Sequence, residues 1–299
     1  MWFILSLISI FFWSGSDFFS KLGSPAKDKD SHLKMLMVVG LVMGAHATSQ
    51  VLFQGVSFTK EILIAYLPVS FLYIFSMLLG YIGLRYIEPS VSSPICNTSG
   101  AVAALLSFIF LKQVLALPQL FAILLILFAI YLLSYLQKKH EDAERKKMQE
   151  KVEDKYVNSF IAIFFPIFYC IIDGLGTFLD AVVLEKIPEA SANVAYEYTF
   201  CTLAVCLFFY LVFVKKTKFR LPTEEPKFLG AICETIGQFT YIYAIGANAV
   251  ASAPLISSYC LFSVIWARIF LKEKLSKAQY LAVGLAVLGI LILGFFEEG

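Results

Sequence analysis

Long apolar runs separated by short polar breaks dominate the chain. They fall at 1–20, 34–55, 62–87, 89–111 and 118–137, then at 157–184, 190–214, 227–247, 249–271 and 276–296. Each run is close to the roughly 20 residues with which an α-helix crosses ~30 Å of hydrocarbon. A lipid-spanning backbone must satisfy its own polar groups, which favours helices over irregular chain. The pattern therefore predicts an all-α integral membrane protein of ten transmembrane helices. The first run has no basic segment before it and no small-x-small cleavage site, and it carries Asp17 near its far end, so it reads as a retained helix. The longest hydrophilic stretch, Gln137 to Tyr156, mixes both charge signs and reads as a solvated linker between helices five and six.

The chain also repeats itself. An offset of 160 aligns Ser93-Pro94 with Ala253-Pro254, residues 109–112 (IFLK) with 269–272 (IFLK), Leu115 with Leu275, and Gln119 with Gln279. An offset of 156 sets Trp13 beside Tyr169 and Asp17 beside Asp173. These offsets divide the chain into a five-helix repeat at 1–137, a charged linker at 138–156 and a second five-helix repeat at 157–299. With an odd number of helices in each, the two repeats sit inverted in the membrane, an arrangement found in transporters.

Composition sharpens the class. Hydrophobic residues make up 59%, charged residues 15%, and the mean hydropathy is +0.78, well outside the range of soluble domains. A net charge of +2 gives no reason to expect nucleic acid. The six cysteines stand singly in apolar runs and read as packing residues, and neither a metal nor a cofactor is expected. Of the 24 Lys and Arg residues, only Lys60, Lys112 and Lys186 fall on one face of the ten-helix arrangement. Because basic residues in short loops stay in the cytoplasm, the count predicts a cytoplasmic linker and both termini outside. A bacterial cell membrane is the expected location.

Two segments carry a family likeness: VSSPICNTSGAVAALLSFIFLKQVLALPQLFAILLILFAI at 91–130 and ASAPLISSYCLFSVIWARIFLKEKLSKAQYLAVGLAVLGI at 251–290. Both resemble the EamA-type repeat of the drug/metabolite transporter superfamily, with a Pro early in the fourth helix and a Leu then a Gln opening the fifth. The match is fuller around Lys272, Glu273, Leu275 and Gln279 than in the first half, where Gln113 takes the acidic position. The resemblance implies ten helices, a central cavity and transport, and names no ligand. It also implies cytoplasmic termini, against the charge count.

Ionisable groups in hydrocarbon are costly unless they face a cavity or a partner, so they are the first functional candidates. Asp17 and Asp173 occupy equivalent repeat positions, each one helical turn after an aromatic, Trp13 or Tyr169. They are candidates for proton coupling or amine recognition; the competing reading is that each caps a broken helix. Glu197 with Asn193, and Glu234 with Gln238 and Tyr241, mark polar stripes on apolar helices. His46, Gln50 and Gln54 form another, and His46 suits proton exchange near neutral pH, or a plain hydrogen bond between helices. Asp180 reads as an interfacial carboxylate. No Lys or Arg lies deep in a span, so the carboxylates are neutralised by protons or by a cationic group on the substrate. Asn97-Thr98-Ser99 and Ser257-Ser258 give helices four and nine polar, proline-loosened starts, with Asn97 and Tyr259 as wall candidates. Gly40-xxx-Gly44 reads as a packing seam.

The sequence lacks HExxH, a P-loop and a G-x-S-x-G elbow, which argues against a membrane enzyme. It also lacks a repeated filter that would suit a channel. The expectation is a secondary active, proton-coupled transporter of a small amine-bearing metabolite such as an amino acid. Carriage of choline-like cations or cationic drugs, and lipid flipping, are the alternatives.

Overall fold

A computed structural model describes residues 1–23, 28, 30–83, 95–113, 115–148, 164–219, 221–270 and 276–296. Pro94, Arg85, the end of the linker at 149–156 and the 271–275 motif lie outside the described residues. Among the described residues ten α-helices follow one another: α1 Trp2–Leu22, α2 Ser31–Gln54, α3 Lys60–Gly83, α4 Ser99–Phe110 and α5 Leu117–Met148, then α6 Phe164–Leu184, α7 Glu189–Phe209, α8 Leu221–Ile256, α9 Tyr259–Phe270 and α10 Lys277–Phe295. A π-helical turn, Tyr210–Val214, extends α7. Eight of these helices are long and apolar enough to cross a membrane, and α4 and α9 are shorter apolar helices. The all-helical, ten-helix expectation holds.

Three boundaries differ from expectation, each for a local reason. The fifth helix runs past residue 137 to Met148, into the charged linker. An i,i+4 pair, Lys138 with Asp142 at 4.0 Å, supports the solvated extension. The eighth helix runs to Ile256, beyond the expected break after 247, but it loses helical dihedrals at Asn248, where φ is −162° and ψ is 86°. The short stretch after that break has its own caps. Asn248 Oδ1 accepts from Ala251 N at 3.2 Å, and Gln113 Oε1 accepts from Val250 N at 3.2 Å. Gln113, where the repeat pattern has an acidic residue, thus serves as a helix cap. The third difference concerns helices four and nine, whose regular parts begin at Ser99 and Tyr259, each after a two-residue turn.

Those turns, Asn97-Thr98 and Ser257-Ser258, carry the internal repeat down to single hydrogen bonds. Thr98 N donates to Ile95 O at 3.2 Å, and Ser258 N donates to Leu255 O at 3.1 Å. Ala101 N then donates to Thr98 O at 3.0 Å, and Leu261 N to Ser258 O at 2.9 Å. Every residue in the second set lies 160 positions after its counterpart.

The residues form two compact units, Met1–Phe71 with Leu179–Ala247, and Leu72–Phe178 with Asn248–Gly299. In the first unit, α2 and α7 run antiparallel along the Gly40-xxx-Gly44 seam. A Cβ at Gly40 would come within 2.4 Å of Phe200 O, and one at Gly44 within 2.4 Å of Cys201 Sγ. Only hydrogen fits there, so the two backbones approach closely. In the second unit α5 packs on α10, where a Cβ at Gly289 would lie 3.0 Å from Ala122 O. The two broken regions also touch there: a Cβ at Gly100 would meet Ser257 Oγ at 2.3 Å and Ala253 O at 2.4 Å.

Candidate functional site

The α2–α7 seam positions the most connected polar group of the first unit. His46 stands half a turn beyond Gly44, and Glu197 precedes Phe200 by less than one turn, so the close contact at the glycines brings the two side chains together. His46 Nδ1 lies 2.8 Å from Glu197 Oε1 and 2.9 Å from Oε2. Asn193 Nδ2 donates to Glu197 Oε1 at 3.0 Å, and Gln50 Nε2 lies 3.3 Å from His46 Nε2. The ring of Phe239 from α8 closes edge-on against His46, with centroids 5.4 Å apart.

With Glu197 ionised and His46 neutral, the polarity of this chain of bonds follows. A carboxylate only accepts, so His46 Nδ1 carries hydrogen and Asn193 turns its amide nitrogen toward Glu197. The other nitrogen of a neutral imidazole accepts, so Gln50 donates to it. Gln50 Oε1 and Asn193 Oδ1 then point away, and neither has a hydrogen-bond partner among the described residues. Gln50 is 1% exposed and Asn193 is fully buried. An acceptor in that condition costs about 1–3 kcal/mol.

Elsewhere in the first unit, Trp13 and Tyr241 pack with ring centroids 4.9 Å apart, and Gly237 makes room for the indole. Glu234 is hydrogen-bonded to the Ser16 side chain and feels the charge of Asp17. Asp17 itself is exposed and is not enclosed by neighbouring helices as its place in a span suggested. Asp180 is fully buried and accepts a 2.7 Å bond from Tyr66 Oη.

In the second unit, Ser76 Oγ donates to Asp173 Oδ1 at 3.1 Å, and Ser99, the first residue of α4, also bonds that carboxylate. Asp173 therefore sits at a helix start, where backbone N–H groups favour an anion. Tyr169, one turn earlier, is half-buried, and the neighbouring Cys170 Sγ lies 3.2 Å from Thr98 Oγ1. Asn97 is buried in the first turn, and Tyr259 follows the second.

A charged cluster at one end of the first unit was not legible as a buried feature. Lys34 Nζ lies 2.8 Å from Asp28 Oδ2 and 3.3 Å from Glu224 Oε1, and Lys227 Nζ lies 2.8 Å from Glu224 Oε2. Lys227 is fully buried although it stands near a helix start. Partial burial works against the Asp28 charge. The Lys34 ammonium and the Asp30 backbone N–H outweigh it and hold the carboxyl below its ordinary 3.8.

Comparison with known proteins places this architecture. No curated protein matches the chain. One crystal structure superposes with a TM-score of 0.74 over 99% of this chain and 96% of the other, at 12% identity, which is a likeness of fold. The model of the EamA-like transporter family matches residues 1–135 and again residues 160–295, so nearly the whole chain is accounted for by two copies. The chain is an integral multi-pass membrane protein and belongs to the EamA-like transporter family.

Proposed function

We propose that this transporter is a proton-coupled secondary carrier that moves a small amine-bearing metabolite, such as an amino acid, by alternating access between its inverted repeats. The observation that carries this reading is the company kept by the acidic side chains within the apolar helices. Glu234 is held by Ser16, Asp173 by Ser76 and Ser99, and Glu197 by His46 and Asn193. None of these hydrogen-bond partners is a Lys or Arg. A carboxylate so placed is neutralised by a proton or by an ammonium brought by the substrate, and a carrier uses both in turn.

Asp17 and Asp173, equivalent in the two repeats, are the proposed coupling pair, with His46, Glu197 and Glu234 as polar contacts and Trp13, Asn97, Tyr169 and Tyr259 as walls. The Lys/Arg count supports both termini outside and the charged linker inside. Thermal unfolding of the detergent-purified protein against amino acids, choline-like cations, polyamines and lipids identifies the class that binds the folded state. Flux into liposomes under a pH gradient then tests coupling. Asp17→Asn and Asp173→Asn are expected to abolish proton-driven flux while the protein stays folded; full activity in both would remove them as the coupling pair. A shift with lipids alone would replace the solute carrier with a flippase.

A further inference from the structure

The His46–Glu197 group offers more than a hydrogen bond between helices, because of the two acceptors it leaves over. Gln50 Oε1 and Asn193 Oδ1 flank the pair, both buried, and neither has a donor among the described residues. Their orientation is not arbitrary: each amide nitrogen is already committed, to His46 Nε2 and to Glu197 Oε1. What the group lacks is N–H donors, and in the neutral-imidazole state it carries one negative charge.

We propose that Gln50, Asn193, Glu197 and His46 form a binding site for a primary ammonium, and that a proton on His46 closes this site by turning the Gln50 amide. The proposal rests on the amine-carrier reading above and assigns that substrate's amino group a place.

The turning follows from valence. An imidazolium has N–H on both nitrogens. With Nδ1 held by Glu197, the new proton stands on Nε2, opposite the Gln50 nitrogen, so donor meets donor. Rotation of the amide by half a turn restores the bond, with Oε1 accepting. The same rotation places the amide NH2 where the free acceptor was. Protonation thus removes one ligand acceptor and cancels the net charge of the pair in a single step. Glu197 of α7 is the charged group against the imidazole, and α8 presents the Phe239 ring, with Tyr243 packed behind it at 5.1 Å. Tyr198 is the other titratable neighbour on α7, and its hydroxyl donates to Thr48 Oγ1 at 3.3 Å.

The test uses the full-length protein in detergent and two probes, 2-phenylethylammonium and its N,N,N-trimethyl analogue. They share charge and ring and differ in N–H donors. The primary ammonium is expected to bind at least about tenfold more tightly than the quaternary one, because amide oxygens need N–H. Its affinity is expected to fall about tenfold or more between pH 8 and pH 5.5, the interval over which histidine charge changes. Gln50→Met and Asn193→Leu should each lose about tenfold, while Gln50→Glu, which keeps an acceptor, should retain binding. Equal affinity for the two probes, no binding of the primary ammonium, or wild-type affinity and pH dependence in folded Gln50→Met would each overturn the site. If Gln50→Met does not fold, the two probes on the unaltered protein still decide. Should the site fail while pH-driven flux of a solute persists, the carrier reading survives without it.

Discussion

His46 meets Glu197 through a single ring nitrogen, which stands 2.8 Å from one carboxylate oxygen and 2.9 Å from the other. Two helices separated by more than a hundred residues in sequence are therefore joined by one shared N–H, and the Asn193 amide holds the same carboxylate from within α7.

Cutting that bond strands the other partner, a fully buried Glu197 or a part-buried His46. His46→Ala and Glu197→Ala are each expected to lower stability by about 1–3 kcal/mol. The double variant should lose less than their sum, by about 0.5–3 kcal/mol, because the second change removes a group already stranded. Thermal unfolding of the four proteins of the cycle measures it. Strict additivity would mean the two side chains do not interact.

The helix seam predicts a sharp contrast between glycines. Gly40→Leu drives a side chain into the backbone of Phe200 and is expected to abolish monodisperse folded protein. Gly284→Ala adds a methyl where nothing lies within 4 Å and removes a helix-weakening glycine, so its unfolding midpoint should stay level or rise. Size-exclusion profiles and melting curves of the two variants suffice.

Ten helices, their order and the duplication were legible because each is a local signal: the length of an apolar run, or a string matched at a fixed offset. Gly40-xxx-Gly44 was legible as a seam for the same reason. The partner of His46 was not. His46 and Glu197 each mark a polar stripe, and single-helix periodicity gives the direction a stripe faces without naming the helix it meets. The seam could have narrowed the choice only had α7 been known to lie along it. Lys34 and Lys227 open the apolar runs 34–55 and 227–247, and a place at the end of a run does not reveal that Glu224 and Asp28 lie against them. The Asn248 break was legible, since the apolar runs 227–247 and 249–271 part there, whereas the short helical stretch that continues from it to Ile256, before the Ser257-Ser258 turn, was not.

The caps of the stretch after Asn248 give a third expectation. Asn248→Ala removes the acceptor for Ala251 N, and Gln113→Ala the acceptor for Val250 N. Each should cost about 0.5–2 kcal/mol. Gln113→Glu keeps an acceptor and adds a charge favoured at a helix start, so it should be tolerated. Equal losses in Gln113→Ala and Gln113→Glu would remove the capping role.

Acid dependence is expected at Asp28. Its folded carboxyl titrates below the ordinary 3.8, so its ion pair stabilises the fold at neutral pH and loses that contribution as pH falls through the depressed value. Asp28→Asn should unfold earlier than the wild type at pH 7, with the gap closing below about pH 4. A gap that stays constant with pH would show that the Asp28 charge contributes nothing.

The partnerships of the first helix in each repeat bear on how the chain is made. Within one unit α1 rests on α8, through Trp13 against Tyr241 and a 2.8 Å bond between Ser9 and Thr240. Within the other, α6 rests on α3, through Asp173 with Ser76 and Tyr73 with Thr177. Each repeat thus lends its opening helix to the third helix of the other. During synthesis α1 and α3 enter the bilayer long before α8 and α6 leave the ribosome, so the first half must wait as separate helices among lipids. Ser9 and Ser76 meet Thr240 and Asp173 only when the second half arrives. A chain truncated at the linker would be a substrate for membrane quality control rather than half a transporter.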